Sequence, residues 1–253
     1  MYIDIEKAKK EFVNYAKNYD LNDPMIDLKL NHSLRVMVVA NRLANMMNLN
    51  EEDIEIATII GLLHDIARFE QYTQYKTFRD VDSRDHGDWG IEILDKDMRK
   101  YVETNKYDLL IKTAIKNHNK FEIENGLDER TLFFCKLIRD ADKLDILYEA
   151  TFMFWKNSVE QVNNSELNQN AYNDFLKHKL IKRVKGENYD DFNKVITTTA
   201  FIFDINFKES FEILYKEDYL NKIINRFNYK RPEIQEKIRQ EANDYIKNKV
   251  GIN

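Results

Sequence analysis

The chain has few of the residues that interrupt helices. Its 253 residues include 6 glycines and 2 prolines. Because turn-rich β folds and flexible linkers use both residue types heavily, their scarcity favours long helices joined by short loops. The single cysteine, Cys135, excludes an intramolecular disulfide, and the apolar residues around it predict a buried thiol. A chain of this length can form one large domain with a sizeable core.

The chain also lacks the features that direct proteins to membranes or nucleic acids. No apolar stretch reaches the length of a membrane span, and the first residues show no signal-peptide pattern. The net charge of -5 gives no general attraction to nucleic acid polymers or to anionic lipid. We therefore expect a cytoplasmic protein without a membrane or a nucleic acid polymer as partner. The oligomeric state stays open.

Apolar residues recur at helical spacing through most of the chain, which predicts an all-α fold. One predicted helix covers residues 31–47, with His32 on its apolar stripe. A second begins after Asn50, which is expected to be its N-cap, and ends near His64. The polar segment 70–86 breaks the periodicity and predicts a loop or short helices.

Two further predicted helices carry histidine or aspartate. One ends at His118, and a longer one runs from about Glu129 to Phe154 with three acidic residues in its middle, Asp140, Asp142 and Asp145. No composition shift marks a boundary, so we predict a single helical domain. Its core would cover about residues 25–155, with a C-terminal helical layer at about 156–253.

Several ionisable residues fall at the ends or on the inner faces of these helices, namely His32, His64, Asp65, His86, His118 and the aspartates of 140–145. Two interpretations are open. Each group could have its own hydrogen-bond partner, with the aspartates on different faces of their helix. Alternatively, the imidazoles and carboxylates surround a divalent metal, because nitrogen and oxygen ligands without thiolate suit Mn, Fe, Co, Ni or Zn. Asp140 and Asp142 are equally eligible on this pattern.

The placement of His64 and Asp65 favours the metal. Neighbours on a helix point about 100° apart, so both can reach one ion only where the helix ends. The pair falls at such an end. Because burying these groups without partners is costly, the recurrence of four histidines at the ends or on the inner faces of helices favours a shared explanation.

The ordered set resembles the HD superfamily of metal-dependent phosphohydrolases. The strings that carry the resemblance are NHSLRVMVVANRLA, IIGLLHDIARFEQ, DHGDWGIEIL, AIKNHN and IRDADKLDIL. They cover about residues 25–155, more than half of the chain. The resemblance implies an HD-domain helical bundle with additional C-terminal helices.

The resemblance also implies the metal ligands, which are His32, His64, Asp65, His86, His118 and Asp142. Asp65 would bridge the first ion to a second one held by His86 and His118. The family pattern places its ligand directly before a Lys-Leu pair, which selects Asp142 over Asp140. Members with a single ion use the additional histidines to contact substrate, so one or two ions of Mn, Fe, Co, Ni, Zn or Mg are expected.

The implied reaction is hydrolysis of a phosphate ester or anhydride bond in a small phosphorylated molecule, with a nucleotide favoured, by a metal-activated water. Asp65 would orient the nucleophile, and His86 or His118 could protonate the leaving oxygen if it is not a ligand. Arg68, counted as catalytic and substrate-binding, and Lys143 are the candidate phosphate partners. Both could instead be surface charges or partners of the neighbouring aspartates.

Two other functions stay open. HD-type di-iron oxygenases have a similar six-ligand scaffold, and iron content with O₂ consumption would identify one. A non-catalytic module that binds a nucleotide or a partner is the third, although the intact ligand set argues against it. The residues IARF after His64 and Asp65 lack the Glu-Asp pair of guanosine-tetraphosphate hydrolases, and HNKFEIENG lacks the Gly-Tyr-Pro signature of cyclic di-GMP phosphodiesterases. The subfamily is therefore unassigned.

Overall fold

The computed structural model describes residues 3–152, 159–182 and 191–252. Within these residues the regular structure is helical and no strand occurs, which confirms the all-α prediction. The chain divides into two compact units, Met1–Asp142 and Lys143–Asn253. The single-domain assignment stays a prediction, and its internal boundary near residue 155 lies outside the described residues.

The first unit consists of helices and contains four of the five histidines. The helices are α1 (Ile5–Ala16), α2 (Pro24–Met46), α3 (Glu51–Leu63), α4 (Arg68–Tyr75), α5 (His86–Tyr101), α6 (Asp108–Asn117) and the first part of α7 (Glu129–Ala150). A short 3-10 turn, Asp80–Asp82, precedes α5. The segment 70–86 thus contains short helices and loop, as predicted.

Helix α2 begins one to two turns earlier than predicted. Asp23 is its N-cap and accepts a hydrogen bond from the backbone N–H of Met25. Pro24 occupies the first helical position, where the N–H that proline lacks has no helical partner in any case. Residues 24–30, which the apolar periodicity missed, therefore belong to the helix.

Helix α3 begins at its predicted cap, and α7 begins after a turn and a capping aspartate. The Asn50 side chain accepts a hydrogen bond from the backbone N–H of Asp53, as expected for an N-cap. Before α7, Gly126 has a φ of 83° in a turn, and Asp128 accepts from the backbone N–H of Thr131. The predicted end of α7, Phe154, lies outside the described residues, and the helix as described ends at Ala150.

The second unit contains several helices, which confirms the prediction of additional C-terminal helices. They are α8 (Val159–Asn164), α9 (Gln169–Leu176), α10 (Asp191–Thr199), α11 (Lys208–Glu217), α12 (Tyr219–Ile224) and α13 (Pro232–Val250), together with the end of α7. Phe192 and Tyr229 stack in parallel within this unit at a centroid distance of 3.5 Å. No helix among the described residues is both long and apolar enough to cross a membrane.

Candidate metal centre

The structure brings six of the predicted site residues together in the first unit. We call this group the candidate metal centre, and its members are His32, His64, Asp65, His86, His118 and Asp142. Five of the six are at most 3% exposed, and the Asp142 side chain is 15% exposed. The group is therefore almost entirely removed from solvent, with Asp142 at its more open side.

The first subsite consists of His32 on α2, His64 at the end of α3 and Asp142 on α7. The Nε2 atoms of His32 and His64 are 3.3 Å apart. Asp142 Oδ1 lies 3.1 Å from Nε2 of His32 and 3.6 Å from Nε2 of His64. One ligand atom from each residue thus points to a common position.

The second subsite consists of His86 and His118, whose Nε2 atoms are 3.0 Å apart. His86 is the first residue of α5, and His118 directly follows α6. Both side chains reach the centre from helix termini.

Asp65 lies between the two subsites and offers one oxygen to each. Its Oδ2 is 3.5 Å from Nε2 of His32 and 3.7 Å from Nε2 of His64. Its Oδ1 is 3.3 Å from Nε2 of His86 and 3.6 Å from Nε2 of His118. This is the arrangement of a carboxylate that can bridge two ions.

Gly61 lets α3 pack closely against α2. A Cβ atom at residue 61 would lie 2.9 Å from the carbonyl oxygen of Val36 and 3.0 Å from the Cβ of Ala40. Core packing leaves no room for such an atom unless the helices separate. Gly61 lies one turn before His64, and Val36 one turn after His32, so this close approach brings the two imidazoles together.

Gly87 has the same effect at the second subsite. A Cβ atom at residue 87 would lie 2.9 Å from the carbonyl oxygen of Lys116 and would also collide with the side-chain oxygen of Asn119. Gly87 directly follows His86, and Lys116 lies two residues before His118. The start of α5 can therefore reach the end of α6 only because residue 87 is glycine.

Backbone carbonyls set the tautomers of two histidines. Nδ1 of His64 lies 2.9 Å from the carbonyl oxygen of Gly61, and Nδ1 of His118 lies 2.6 Å from that of Ile115. A carbonyl oxygen only accepts, so both Nδ1 atoms donate and carry the ring proton. Each Nε2 atom therefore presents a lone pair to the centre, which is the form that binds a metal ion.

His86 has the same tautomer because its Nδ1 donates to Asp80 Oδ2 over 2.7 Å. Its Nε2 lone pair therefore faces that of His118 at 3.0 Å, and two acceptors at this distance repel each other. Burial, with the charge of Arg68, lowers the pKa of His86 to about 4, so His86 takes up no second proton at neutral pH. A divalent cation would accept both lone pairs, so this donor set fits a metal ion.

Two cations flank Asp65. Lys29 Nζ donates to Oδ2 over 2.8 Å, and Arg68 Nε donates to Oδ1 over 3.3 Å. Burial alone would raise the pKa of Asp65, but its interactions with Lys29, His64 and Arg68 hold it well below its usual range. Asp65 is therefore ionised. Lys29 was not predicted from the sequence, and its signal is its position one turn before His32 on the same helix.

Arg68 is also tied to the loop after α4. Its Nη1 donates to the side chain of Gln71 over 2.6 Å, to the carbonyl of Phe78 over 2.7 Å and to Asp80 over 3.3 Å. Its Nη2 makes no hydrogen bond to the residues that the structure describes. Most of the guanidinium therefore binds the protein itself.

The remaining predicted residues are placed differently. Lys143 is the first residue of the second unit and pairs with Asp204 of the same unit, with 2.7 Å between Nζ and Oδ2, and its side chain is 8% exposed. Asp140 is fully buried and belongs to none of the His and Asp groups with converging ligand atoms in the described part of the chain. Of the two aspartates that the pattern left open, Asp142 is the one beside the histidines.

Arg139 supports the second subsite from α7 and was not predicted. Its buried guanidinium donates to the carbonyl oxygens of Asn117 over 3.1 Å and His118 over 3.4 Å, and also to that of Lys120. Carbonyls at a helix C-terminus have no partner within the helix, so the arginine satisfies them and fixes the backbone of His118. An arginine inside the apolar part of α7 is the signal for this role.

Residues 30–147 match the family model of the HD domain. The matched segment contains all six residues of the candidate metal centre and ends within α7. No curated protein and no solved structure shows a significant match to the chain. The comparisons thus identify the domain type and leave the subfamily unassigned.

Proposed function

Because the chain belongs to the HD superfamily, we propose that it is a metal-dependent phosphohydrolase acting on a phosphate ester or anhydride bond of a small molecule. Nucleotides are the first substrates to test. The observation that supports this most is the position of Asp65, which offers one oxygen to each of two groups of histidine Nε2 atoms. Such a pair of adjoining sites suits the two-ion hydrolysis of phosphate esters.

We propose two divalent ions, chosen from Mn, Fe, Co, Ni, Zn and Mg. His32, His64 and Asp142 would hold the first, His86 and His118 the second, and Asp65 would bind both. Bound ions would lower the pKa of a water molecule and offset charge on the phosphoryl group. The Nδ1 hydrogen bonds of the histidines would keep each ring oriented toward its ion.

The second subsite supports a ligand role for its histidines over proton donation. A proton donor needs a proton on the nitrogen that faces the substrate. In His86 and His118 the ring proton lies on Nδ1, where an acceptor holds it. The low pKa of His86 also disfavours the doubly protonated ring. We therefore assign both Nε2 atoms to metal binding.

Arg68 is proposed to assist through the part of its guanidinium that remains available. Nε and Nη1 bind Asp65, Gln71 and the loop, which leaves Nη2 to donate to a phosphate oxygen. Its charge would stabilise the reacting phosphoryl group from this position. Substrate binding by Lys143, whose ammonium pairs with Asp204, stays a prediction.

The test uses purified protein stripped of metal and reconstituted with each candidate ion. Phosphate release is measured on p-nitrophenyl phosphate, bis-p-nitrophenyl phosphate and nucleoside mono-, di- and triphosphates. We expect release that depends on the added ion, with two ions bound per chain. Loaded protein that releases no phosphate from any of these substrates would contradict the proposal.

Further measurements on the same protein distinguish a hydrolase from the other two candidate functions. A di-iron oxygenase would retain two irons per chain, show a mixed-valent signal and consume O₂. The donor set does not exclude it, because imidazole and carboxylate also suit iron. A binding module without catalysis would retain its ligand affinity after His64→Ala, whereas a hydrolase would lose its activity.

A further inference from the structure

We infer that Lys29 binds the phosphate of the substrate. The inference rests on the proposed function, because it assigns a residue to the substrate of the same site. Lys29 lies on α2 one turn before His32, and its ammonium is 2.8 Å from Asp65 Oδ2. A cation is thereby placed directly beside the carboxylate that joins the two subsites.

Exposure distinguishes Lys29 from His32 and Asp65, the two buried residues beside it. Its side chain is 15% exposed, whereas the side chains of His32 and Asp65 are 1% and 3% exposed. Lys29 is therefore, like Asp142 at 15%, one of the residues at the centre that solvent reaches. The long lysine side chain can turn its ammonium toward an incoming anion while its stem stays packed.

The ammonium of Lys29 also has N–H donors that are available for a ligand. A lysine carries three N–H donors, and Asp65 is the one hydrogen-bond partner of Lys29 among the described residues. The ring of Phe78, with its centroid 5.2 Å from Nζ, provides a second, weaker contact. Two N–H groups therefore remain for the oxygens of a phosphate.

Arg68, the other cation beside Asp65, has a smaller share of its donors available than Lys29. It lies over the same Phe78 ring, at 5.6 Å, and contacts the other oxygen of Asp65. Its Nη1, however, is fully engaged by Gln71, the Phe78 carbonyl and Asp80. Of the two cations at Asp65, Lys29 is the one that can give most of its donors to a ligand without breaking contacts within the protein.

A role confined to Asp65 is the alternative, in which Lys29 only neutralises and orients the carboxylate. The two roles differ in the sign of their effect on metal binding. Removing a cation from beside an ion site leaves the affinity for a divalent ion unchanged or raises it, because like charges repel. Removing a residue that positions a ligand lowers that affinity.

The experiment compares wild type with Lys29→Met and Lys29→Arg, with Lys112→Met as the matched control. Lys112 also pairs with a carboxylate, Asp95, at 2.7 Å and is 22% exposed, but its partner is not in the candidate metal centre. Calorimetry measures the Kd of Mn²⁺ for the stripped proteins and the Kd of inorganic phosphate for the Mn²⁺-loaded proteins. Melting curves check that each variant is folded.

For Lys29→Met we expect the phosphate Kd to rise about 10- to 100-fold, the loss typical of a charge-assisted hydrogen bond, with no rise in the Mn²⁺ Kd. Lys29→Arg should keep the phosphate affinity within a few fold. Lys112→Met should match wild type in both measurements.

Two results would overturn the inference while leaving the proposed function intact. One is an unchanged phosphate Kd in Lys29→Met, and the other is a Mn²⁺ Kd that rises as much as the phosphate Kd. If Lys29→Met does not fold, a phosphate affinity lost in Lys29→Arg as well would also contradict it, since a cation is retained there. Wild-type protein that neither binds phosphate nor hydrolyses any ester would overturn both proposals.

Discussion

The two subsites reach the same kind of ligand set from different surroundings. Asp142 and Asp65 give the first subsite two carboxylates, and its residues lie on or directly after the long helices α2, α3 and α7. The second subsite shares one carboxylate, Asp65, and takes His86 and His118 from helix termini. Because ion affinity rises with anionic charge and with rigid ligand placement, the first subsite is expected to bind its ion more tightly.

Support from outside the ligand set compensates for this difference. At the second subsite, Asp80 holds the ring of His86 and Arg139 holds the backbone of His118. Among the residues that the structure describes, neither has a counterpart of its type at His64, whose Nδ1 donates to a carbonyl of its own helix. The comparison teaches that His86 and His118 take support from side chains outside the ligand set, whereas the ring of His64 is held by its own helix.

Asp65→Ala tests the element that both subsites share. Loss of its two oxygens removes one ligand from each ion and leaves the charges of Lys29 and Arg68 unbalanced. We expect both ions to be lost and phosphate release to fall by about a thousandfold or more. Metal content by mass spectrometry and the hydrolysis rate measure this. A variant that retains two ions would show that Asp65 does not bridge.

A pair of single-site variants tests the asymmetry itself. His86→Ala should lower the ion count from two to one, because the first subsite keeps all of its ligands. Asp142→Ala should weaken the first ion, with a fall in hydrolysis of about a hundredfold in either variant. Ion stoichiometry and titration of each ion provide the readout. Equal loss of both ions in both variants would mean that the subsites are not separable.

The parts of this centre that could be predicted from the sequence are those set by local pattern. Apolar periodicity and caps placed His64 after α3 and His118 after α6, and these helix ends are where the structure has them. The order of histidines and aspartates then identified the family. Both signals depend on a few neighbouring residues, so they can be recognised in the sequence without knowing how the helices pack.

The residues that the sequence did not reveal lie at a helix start with few apolar residues, or act only through tertiary contacts. Lys29 was overlooked because α2 was predicted from residue 31, although Asp23 and Pro24 carry the signal of an earlier start. Asp80 was treated as part of a polar loop, and only the packing of that loop shows that it reaches His86. The ambiguity between Asp142 and its neighbour two positions earlier has the same origin, because helix periodicity alone does not define which face meets α2.

An acid titration of the metal-free protein tests whether His86 is buried in its neutral form. Burial and Arg68 lower the pKa of His86 from 6.5 to about 4, so the unfolded chain takes up a proton before the folded protein does. The free energy of unfolding is therefore expected to fall as the pH drops from about 6.5 to about 4. His86 alone should contribute about 2 kcal/mol of this loss between pH 7 and pH 5.

Urea unfolding at pH 7 and pH 5 checks this expectation, with His86→Asn and His64→Asn as the compared variants. His86→Asn should flatten the pH dependence. His64→Asn should also flatten it, because burial lowers the pKa of His64 too, although Asp65 and Asp142 oppose the shift. A pH dependence that His86→Asn leaves unchanged would contradict the assignment of a neutral, buried His86.

Asp80→Asn tests whether the second subsite depends on its outer partner. Asp80 accepts the Nδ1 proton of His86 and also binds Arg68 and Gln71, so its charge and geometry both favour a metal-binding Nε2. Asparagine keeps an acceptor oxygen but loses the charge, so we expect an affinity for the second ion about tenfold lower, with the first ion unaffected. Asp82→Asn, on the same turn and paired with exposed Arg79, is the matched control and should leave both affinities unchanged. If Asp80→Asn weakened both ions equally, the outer support would belong to the whole centre and the contrast between its two halves would not hold.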